Sequence, residues 1–173
     1  PCPLYLNQQD GTFKDVAPQV GLAVTGFIKG VAAADVNADG RPDLYLSYMD
    51  GPNRLYLNEG GSSPEQWNFR EAGAAAGVTK PDSSFPTWFF DYDNDGDEDI
   101  FVVNFDNYLL KQQSHEMVAD FLDLPLRTTY SRLYQNDGTG VFTDVTVNTG
   151  LDQVLPAMGC NFGDLDNDGF PDF

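Results

Sequence analysis

Residues 91–99 read Asp-Tyr-Asp-Asn-Asp-Gly-Asp-Glu-Asp, with an acidic side chain at every odd position and glycine at the sixth. The same pattern, D-x-[DN]-x-D-G-x-x-D, occurs at residues 35–43 and 164–172. We call these segments loop one (35–43), loop two (91–99) and loop three (164–172). Three copies of one pattern indicate internal repeats.

A second motif precedes each loop. Its first copy is Leu4-Tyr5-Leu6-Asn7, and it returns at residues 55–58 and 133–136. The motif begins 31 residues before the loop in the first and third copies and 36 residues before it in the second. Each copy is followed by a Gly-containing turn and a Phe-containing segment. The fixed order of the two motifs predicts repeats at 4–43, 55–99 and 133–172.

The segments around these motifs are typical of short β-strands. Residues 43–48 and 99–104 are rich in aromatic and β-branched side chains and are bounded by turn formers. Small or apolar residues lie upstream of each loop, at 31–34, 87–90 and 160–163. With the Leu-Tyr and Phe-x-Asp-Val segments, each unit supplies four short antiparallel strands. This pattern predicts the blades of a β-propeller within an all-β fold, and a β-sandwich is the alternative.

The third repeat stops at Phe173, where its loop leads into the next expected strand. Propellers close with roughly 4–8 blades. We therefore expect residues 1–173 to form part of a larger ring, with at least three repeats.

One interval is longer than the repeat predicts. The stretch from Asp99 to Leu133 exceeds the corresponding stretch from Asp43 to Leu55 by 22 residues, which predicts an insertion at about 105–131. Apolar residues recur in it at loosely helical spacing, and a proline would end the helix. These residues are Leu110, Met117, Val118, Phe121, Leu122 and Pro125. Two interpretations of this insertion remain, a partner-specific surface and a flexible loop.

The loops carry the oxygen ligands that a hard cation requires. Calcium takes roughly 6–8 oxygens, which side chains at positions 1, 3, 5 and 9 supply, while glycine at position 6 allows a sharp bend. Position 7 is predicted to contribute its backbone carbonyl. The predicted ligands are Asp35, Asn37, Asp39, Arg41 (carbonyl) and Asp43 in loop one; Asp91, Asp93, Asp95, Asp97 (carbonyl) and Asp99 in loop two; and Asp164, Asp166, Asp168, Phe170 (carbonyl) and Asp172 in loop three.

Other interpretations of the loops fit less well. An EF-hand needs a Glu at position 12, where loop one has Leu46 and loop two has Val102, both in predicted strands. Hairpin turns without an ion would crowd up to five aspartates into nine residues, and their mutual repulsion disfavours that alternative. Magnesium prefers fewer protein ligands and retained water, so Ca²⁺ is the predicted ion.

The composition restricts the partners. The chain has 27 acidic and 9 basic residues, giving a formal charge of −18. Such a surface repels nucleic acid and anionic membranes, because phosphate binding needs clustered Lys and Arg. No apolar run approaches the roughly 20 residues that span a bilayer, so no membrane insertion is predicted. For Cys2 and Cys160, an internal disulfide, free thiols and an external partner remain open.

Taken together, the motifs resemble the FG-GAP/VCBS repeats. Residues 51–56 (Gly-Pro-Asn-Arg-Leu-Tyr) and 90–97 (Phe-Asp-Tyr-Asp-Asn-Asp-Gly-Asp) look most like the propeller of the ASPIC/UnbV (cartilage acidic protein-like) group. The resemblance covers the chain except for the insertion. It implies an integrin-α type of propeller, calcium held in the blade loops, and an extracellular, cell-surface or periplasmic location.

No enzyme activity is predicted. The pair His115-Glu116 lacks the second His that a zinc protease helix would need, since Ala119 stands at that position. The aspartates have the spacing of one ion cage rather than of a glycosidase pair. Trp67 and Trp88 lie at strand positions and are predicted to be core residues.

Two classes of function remain. The first is a calcium-stabilised interaction or adhesion module, with a protein or glycan ligand that the sequence does not identify. The second is a carbohydrate-binding or accessory propeller of a secreted polysaccharide-active enzyme. The domains that flank this segment would discriminate the two.

Overall fold

Short strands separated by tight turns make up most of the chain. The computed structural model describes residues 1–159 and 161–173, with residues 107–110 described by their backbone alone. The described strands are β1 (Tyr5–Asn7), β2 (Phe13–Asp15), β3 (Ile28–Ala34), β4 (Asp43–Tyr48), β5 (Arg54–Asn58), β6 (Phe69–Glu71), β7 (Ser84–Phe90), β8 (Asp99–Asn104), β9 (Arg132–Asn136) and β10 (Phe142–Asp144). The helical segments are a 3-10 turn (Pro64–Gln66), α1 (Gly73–Ala76) and α2 (Asn107–Phe121).

The strands form antiparallel sheets in which chain neighbours pair. β3, β4, β5 and β6 make one four-stranded sheet in that order, and β7, β8, β9 and β10 make a second. β1 and β2 form a two-stranded sheet, and an isolated bridge joins Gly163 to Asp172 across loop three. The predicted all-β class is thereby confirmed. The strand predicted at 160–163 starts at Cys160, which lies outside the described residues.

Loops one and two connect the first two strands of the four-stranded sheets. Loop one joins β3 to β4, and loop two joins β7 to β8. The Leu-Tyr motif forms the third strand, β5 or β9. A sequence interval such as 55–99 therefore contains β5 and β6 of the first sheet together with β7 of the second.

The main core lies between the two four-stranded sheets, where β3 and β4 pack against β7. The rings of Tyr45 and Phe89 meet edge to face, with their centroids 6.4 Å apart. The Tyr45 hydroxyl donates to the Val78 carbonyl at 2.8 Å, which satisfies its polar atom. Full burial of an apolar side chain such as Ile100 stabilises the fold by roughly 1.5–3 kcal/mol. The same cluster contains Val36, Leu55, Ala76, Val102, Tyr134 and Phe142.

α2 lies within the predicted insertion. Its helix is interrupted at Gln112, where φ is −141° and ψ is 39°. The buried Glu116 carboxylate accepts the N–H groups of Arg127 at 2.9 Å and Thr128 at 3.3 Å, which folds the following segment back onto the helix. The insertion exposes the apolar side chains of Met117, Val118, Phe121, Leu122 and Leu124. The side chain of Leu110 lies outside the described part.

Two further sequence-based predictions concern membrane insertion and the pairing of the two cysteines. Within the described residues, the helices are all too short or too polar to cross a membrane. The pairing of Cys2 with Cys160 stays open, because Cys160 is not among the described residues.

Candidate metal centres

The three loops share one backbone conformation. Their sixth residues, Gly40, Gly96 and Gly169, have φ of 82°, 94° and 93°. Their fourth residues are also left-handed although they carry side chains: Ala38 (φ 56°), Asn94 (φ 59°) and Asn167 (φ 68°). This conformation is uncommon outside glycine, and asparagine tolerates it better than alanine. Two left-handed residues in each loop turn the chain tightly around the alternating side chains.

The aspartate at position 1 holds each loop closed. Its two carboxylate oxygens accept the N–H groups of positions 5 and 6. The distances are 3.0 and 2.7 Å for Asp35, 3.0 and 2.9 Å for Asp91, and 3.1 and 3.0 Å for Asp164. The same bonds in all three copies show that the motif specifies one local structure.

The aspartate at position 9 is the buried end of loops one and two. Asp43 and Asp99 are both 0% exposed. Asp99 accepts the N–H of Tyr92 at 3.0 Å and that of Asn136, on the third strand, at 2.8 Å. Burial raises the pKa of Asp99 to about 7, against the lowering effect of these N–H donors. Burial also raises the pKa of Asp43, against the N–H groups of Asn58 and Val36. A nearby cation would relieve the cost of ionising either group.

Positions 1, 3 and 9 converge in two loops. In loop two, oxygens of Asp91, Asp93 and Asp99 lie within 4.8 Å of one another. The equivalent residues of loop three, Asp164, Asp166 and Asp172, form the same group at the exposed end of the described chain. Loop two is the more enclosed site, because its Asp99 is buried whereas all three aspartates of loop three are exposed.

Loop one does not form a three-carboxylate group within the described residues. Its third position is Asn37, which supplies a neutral oxygen. The Asp39 carboxylate pairs with the Arg41 guanidinium at 2.5 Å, and Arg41 also donates to the Asn58 carbonyl at 2.7 Å. A positive charge therefore already lies against one predicted ligand of this loop.

Position 5 plays a part in the turn itself. Asp39, Asp95 and Asp168 each accept the N–H of position 7, at 3.0, 2.9 and 2.9 Å. These aspartates lie outside the groups formed by positions 1, 3 and 9. The backbone carbonyls of position 7, in Arg41, Asp97 and Phe170, remain predicted calcium ligands.

A carboxylate oxygen in loop two lacks a partner. Asp93 Oδ1 is buried and accepts no hydrogen bond among the described residues, while Asp93 Oδ2 accepts from Gln135 Nε2 at 2.7 Å. A buried, unsatisfied carboxylate oxygen costs free energy unless a donor or a cation compensates it. An all-oxygen donor set beside such an atom fits Ca²⁺.

The residues that orient these aspartates are not among those predicted from the sequence. Asn58 and Asn136, the last residues of the Leu-Tyr motif, donate their N–H groups to Asp43 and Asp99 at 2.7 and 2.8 Å. The signal was available, since Asn ends all three copies of the motif. Gln135 replaces the Leu6 and Leu57 of the other copies and carried no such signal.

The two tryptophans and the His115-Glu116 pair make contacts that stabilise the fold or are exposed. Trp67 packs against Phe69 and Trp88 against Phe101, with ring centroids 6.3 and 4.9 Å apart. His115 is mostly exposed, and its neighbour Glu116 binds backbone N–H groups.

This fold and these loops define a class of all-β proteins built from repeats with Asp-rich turns. The chain belongs to the FG-GAP-like repeat family, whose sequence profile matches residues 3–46, 35–102 and 91–173. The resemblance to this family seen in the sequence is confirmed.

The chain is also similar to Cartilage acidic protein 1 from three vertebrates. The identity over 102 residues is 35% for the Homo sapiens protein, 34% for that of Mus musculus and 33% for that of Xenopus tropicalis. The matched stretch is 58% of this chain and 15% of each relative. These relatives support the predicted likeness to the ASPIC/UnbV group.

Proposed function

We propose that this chain is a calcium-binding stretch of a β-propeller that serves as an interaction or adhesion module of a secreted or cell-surface protein. Each four-stranded sheet is one blade of an integrin-α-like ring, and β1–β2 and the Gly163–Asp172 bridge belong to the neighbouring blades. Each metal loop joins the first two strands of its blade. The module has no catalytic role and does not bind nucleic acid.

Asp93 Oδ1 is the observation that carries the calcium assignment. It is buried without a hydrogen-bond partner among the described residues, beside Asp91 and Asp99. A bound Ca²⁺ would compensate this oxygen and the ionised form of Asp99 together. The family relationship supports the same ion.

An extracellular location follows from the expected strength of these sites. Calcium sites in extracellular modules have dissociation constants of roughly 10⁻⁴–10⁻³ M. Weak binding at loops one and three would fit that range, since a guanidinium lies against Asp39 of loop one and the aspartates of loop three are exposed. Sites this weak would be filled outside the cell, where calcium is abundant.

The insertion supplies the surface for a protein partner. Several large apolar side chains of the insertion are exposed, including Phe121, which is 87% exposed. A cavity of about 580 Å³ lies between α2 and residues 152–155 and is lined in part by Met117, Asp120 and Tyr130. A contiguous apolar surface with a polar rim is characteristic of protein interaction sites.

The alternative, a carbohydrate-binding propeller of a polysaccharide-active enzyme, has weaker support. The two tryptophans of the chain would be the first candidates for stacking on a sugar. Trp67 and Trp88 instead pack against hydrophobic clusters of the sheets.

Calorimetry of the intact protein tests the calcium assignment. We expect calcium to bind in the millimolar range or tighter and to raise the melting temperature, because the ion binds the folded loops and not the open chain. Asp93→Ala should remove one bound ion, whereas magnesium at the same concentration should have a smaller effect. An unchanged melting curve in calcium and in chelator would refute the assignment.

A further inference from the structure

The closing aspartates of loops one and two are connected by a continuous series of hydrogen bonds. Asp43 Oδ2 accepts the N–H of Val36 at 3.1 Å. The Val36 carbonyl accepts from Asn136 Nδ2 at 2.9 Å, and the Asn136 N–H donates to Asp99 Oδ1 at 2.8 Å. Val36 and Asn136 thus join a predicted calcium ligand of one loop to a predicted ligand of the other.

The Asn136 side chain is fixed by its surroundings. It is only 3% exposed. Besides its bond to Val36, Nδ2 donates to the Glu98 carbonyl of loop two at 3.1 Å. Its Oδ1 accepts the N–H groups of Gly138 and Gly140, each at 3.2 Å. With every polar atom in use, the amide cannot rotate without losing a bond to one loop or the other.

The turn after Asn136 also lies between the two loops. A Cβ built on Gly138 would come within 2.7 Å of the Asp97 carboxylate of loop two. A Cβ built on Gly140 would lie 3.6 Å from the Asn37 Cβ of loop one. The turn therefore lies close to both loops, and glycine leaves room for that approach.

Asn58 provides the natural comparison. It occupies the same motif position and donates its N–H to Asp43 at 2.7 Å. Its Nδ2 donates to the Pro42 carbonyl, and its Oδ1 accepts the Gly60 N–H, so these bonds involve loop one alone. Asn58 supports one loop, whereas Asn136 supports two.

We propose that Asn136 is a positioning residue shared by loops one and two, and that it couples calcium binding at one loop to calcium binding at the other. The inference rests on the proposed calcium function. Calcium in loop one stabilises the bonded arrangement of Asp43 and Val36, which favours the bonded position of Asn136 and hence that of Asp99. Part of the conformational entropy cost of ordering loop two has then already been met. The second ion therefore binds more tightly, so the coupling is positive.

Direct repulsion between the two ions acts in the opposite sense. That repulsion is screened by salt, with a Debye length of about 8 Å at physiological ionic strength and about 3 Å at 1 M. Coupling through Asn136 is short-range and should persist at high salt. Salt dependence therefore separates the two contributions.

The test measures the affinity of loop two with loop one intact or silenced. Terbium(III) replaces calcium as a luminescent probe, and Tyr92, within loop two, sensitises it. The signal lost in Tyr92→Phe defines the occupancy of loop two, and calcium competes for that signal. Loop one is silenced by Asp35→Asn with Asp39→Asn. The measurement is made on the intact protein at 0.15 M and 1 M salt, in the wild-type, Asn136→Ala and Asn58→Ala backgrounds.

We expect silencing of loop one to weaken loop two about fivefold, the lower end of common coupling strengths, in the wild-type and Asn58→Ala backgrounds. In Asn136→Ala the shift should disappear at high salt. Equal shifts in all three backgrounds, or no shift in the wild type, would overturn the coupling. Failure of terbium and calcium to bind at all would instead refute the proposed function.

A second substitution guards against misfolding. Asn136→Asp keeps the shape and the Oδ1 acceptor but loses the Nδ2 donors to the carbonyls of Val36 and Glu98. It should abolish the coupling while circular dichroism in saturating calcium stays unchanged. Retained coupling in a folded Asn136→Asp protein would refute the role of these two bonds.

Discussion

The side-chain amide of Gln135 donates to Asp93 Oδ2 across 2.7 Å, whereas Asp93 Oδ1 is buried without a hydrogen-bond partner among the described residues. Gln135 is thereby a candidate orienting residue for one ligand of one site. The other copies of the motif have leucine at this position, so leucine is compatible with the strand.

Gln135→Leu should weaken calcium binding at loop two by about tenfold, the lower range for loss of a residue that orients a ligand. Chelator competition with calcium measures this change, and the affinity of loop one should stay as it is. Unchanged binding at loop two would show that Asp93 is oriented by other contacts.

The three loops should release calcium in a fixed order. Loop one should lose its ion first, because Asn37 replaces a carboxylate and Arg41 pairs with Asp39. Loop two should retain its ion longest, because it combines three converging carboxylates with a buried Asp99. Titration with chelator, followed in proteins with Asp35→Asn, Asp91→Asn or Asp164→Asn, assigns each step to a loop. Release from loop two before loop one would contradict the order.

Asp93→Ala should have opposite effects with and without calcium. At calcium of 100 times Kd, a lost site reduces the free energy of unfolding by about 2.7 kcal/mol. In chelator the same substitution should be neutral or stabilising, because it removes a buried oxygen without a described partner. Thermal melts in both conditions measure the difference.

Two companion variants complete that comparison. Asp166→Ala should also destabilise in calcium. In calcium, Asn37→Ala should lower the free energy of unfolding less than either aspartate substitution, since it removes a neutral ligand. A larger loss for Asn37→Ala than for Asp93→Ala would contradict the ligand assignment.

Stability of the calcium-free protein should fall as the pH rises from about 4 to about 7. Asp99 has a pKa raised from 3.8 to about 7 in the folded state, chiefly by burial. In this window the folded state keeps a proton that the unfolded state has released, so deprotonation favours unfolding. Above pH 7 the effect levels off.

The contribution of Asp99 is isolated by comparison with Asp99→Asn. Urea melts in chelator at a series of pH values should show a steeper decline for the wild type than for this variant. Saturating calcium should remove the decline, because the ion holds the carboxylate ionised. Parallel profiles for the two proteins would argue against a raised pKa.

Glu116→Ala should loosen the insertion without melting the sheets. The substitution leaves the N–H groups of Arg127 and Thr128 without the carboxylate that accepts them, at a cost of roughly 1–3 kcal/mol. Limited proteolysis should then cut within residues 105–131, while global melting changes little. The matched control is His115→Ala, since His115 is mostly exposed. Equal protease resistance of the two variants would contradict the anchoring role.

The loops could be predicted from the sequence because their interactions are local. Position 1 binds positions 5 and 6 in every copy, so nine residues contain the whole turn. The strands followed from the same short patterns of aromatic and β-branched residues. The pairing of strands into sheets could not be assigned with equal certainty, because the Leu-Tyr motif pairs with the strand before it rather than with the loop that follows it.

The orientation of the site depends on contacts distant in sequence. Asn136 meets Val36 across 100 residues, and Gln135 meets Asp93 across 42. The contrast between buried Asp99 and exposed Asp172 also depends on packing, since both end the same motif. Such differences are absent from a repeat pattern, which treats its copies as equivalent.

The offset between sequence repeats and sheets bears on where the gene can be divided or duplicated. A boundary drawn at the Leu-Tyr motif falls between the second and third strands of a sheet. It would leave unpaired strand edges, which promote aggregation. A boundary between Glu71 and Ser84 keeps each sheet whole. Recombination between repeat units would have to occur at that boundary to keep the sheets whole. A truncated protein made for expression should begin or end there for the same reason.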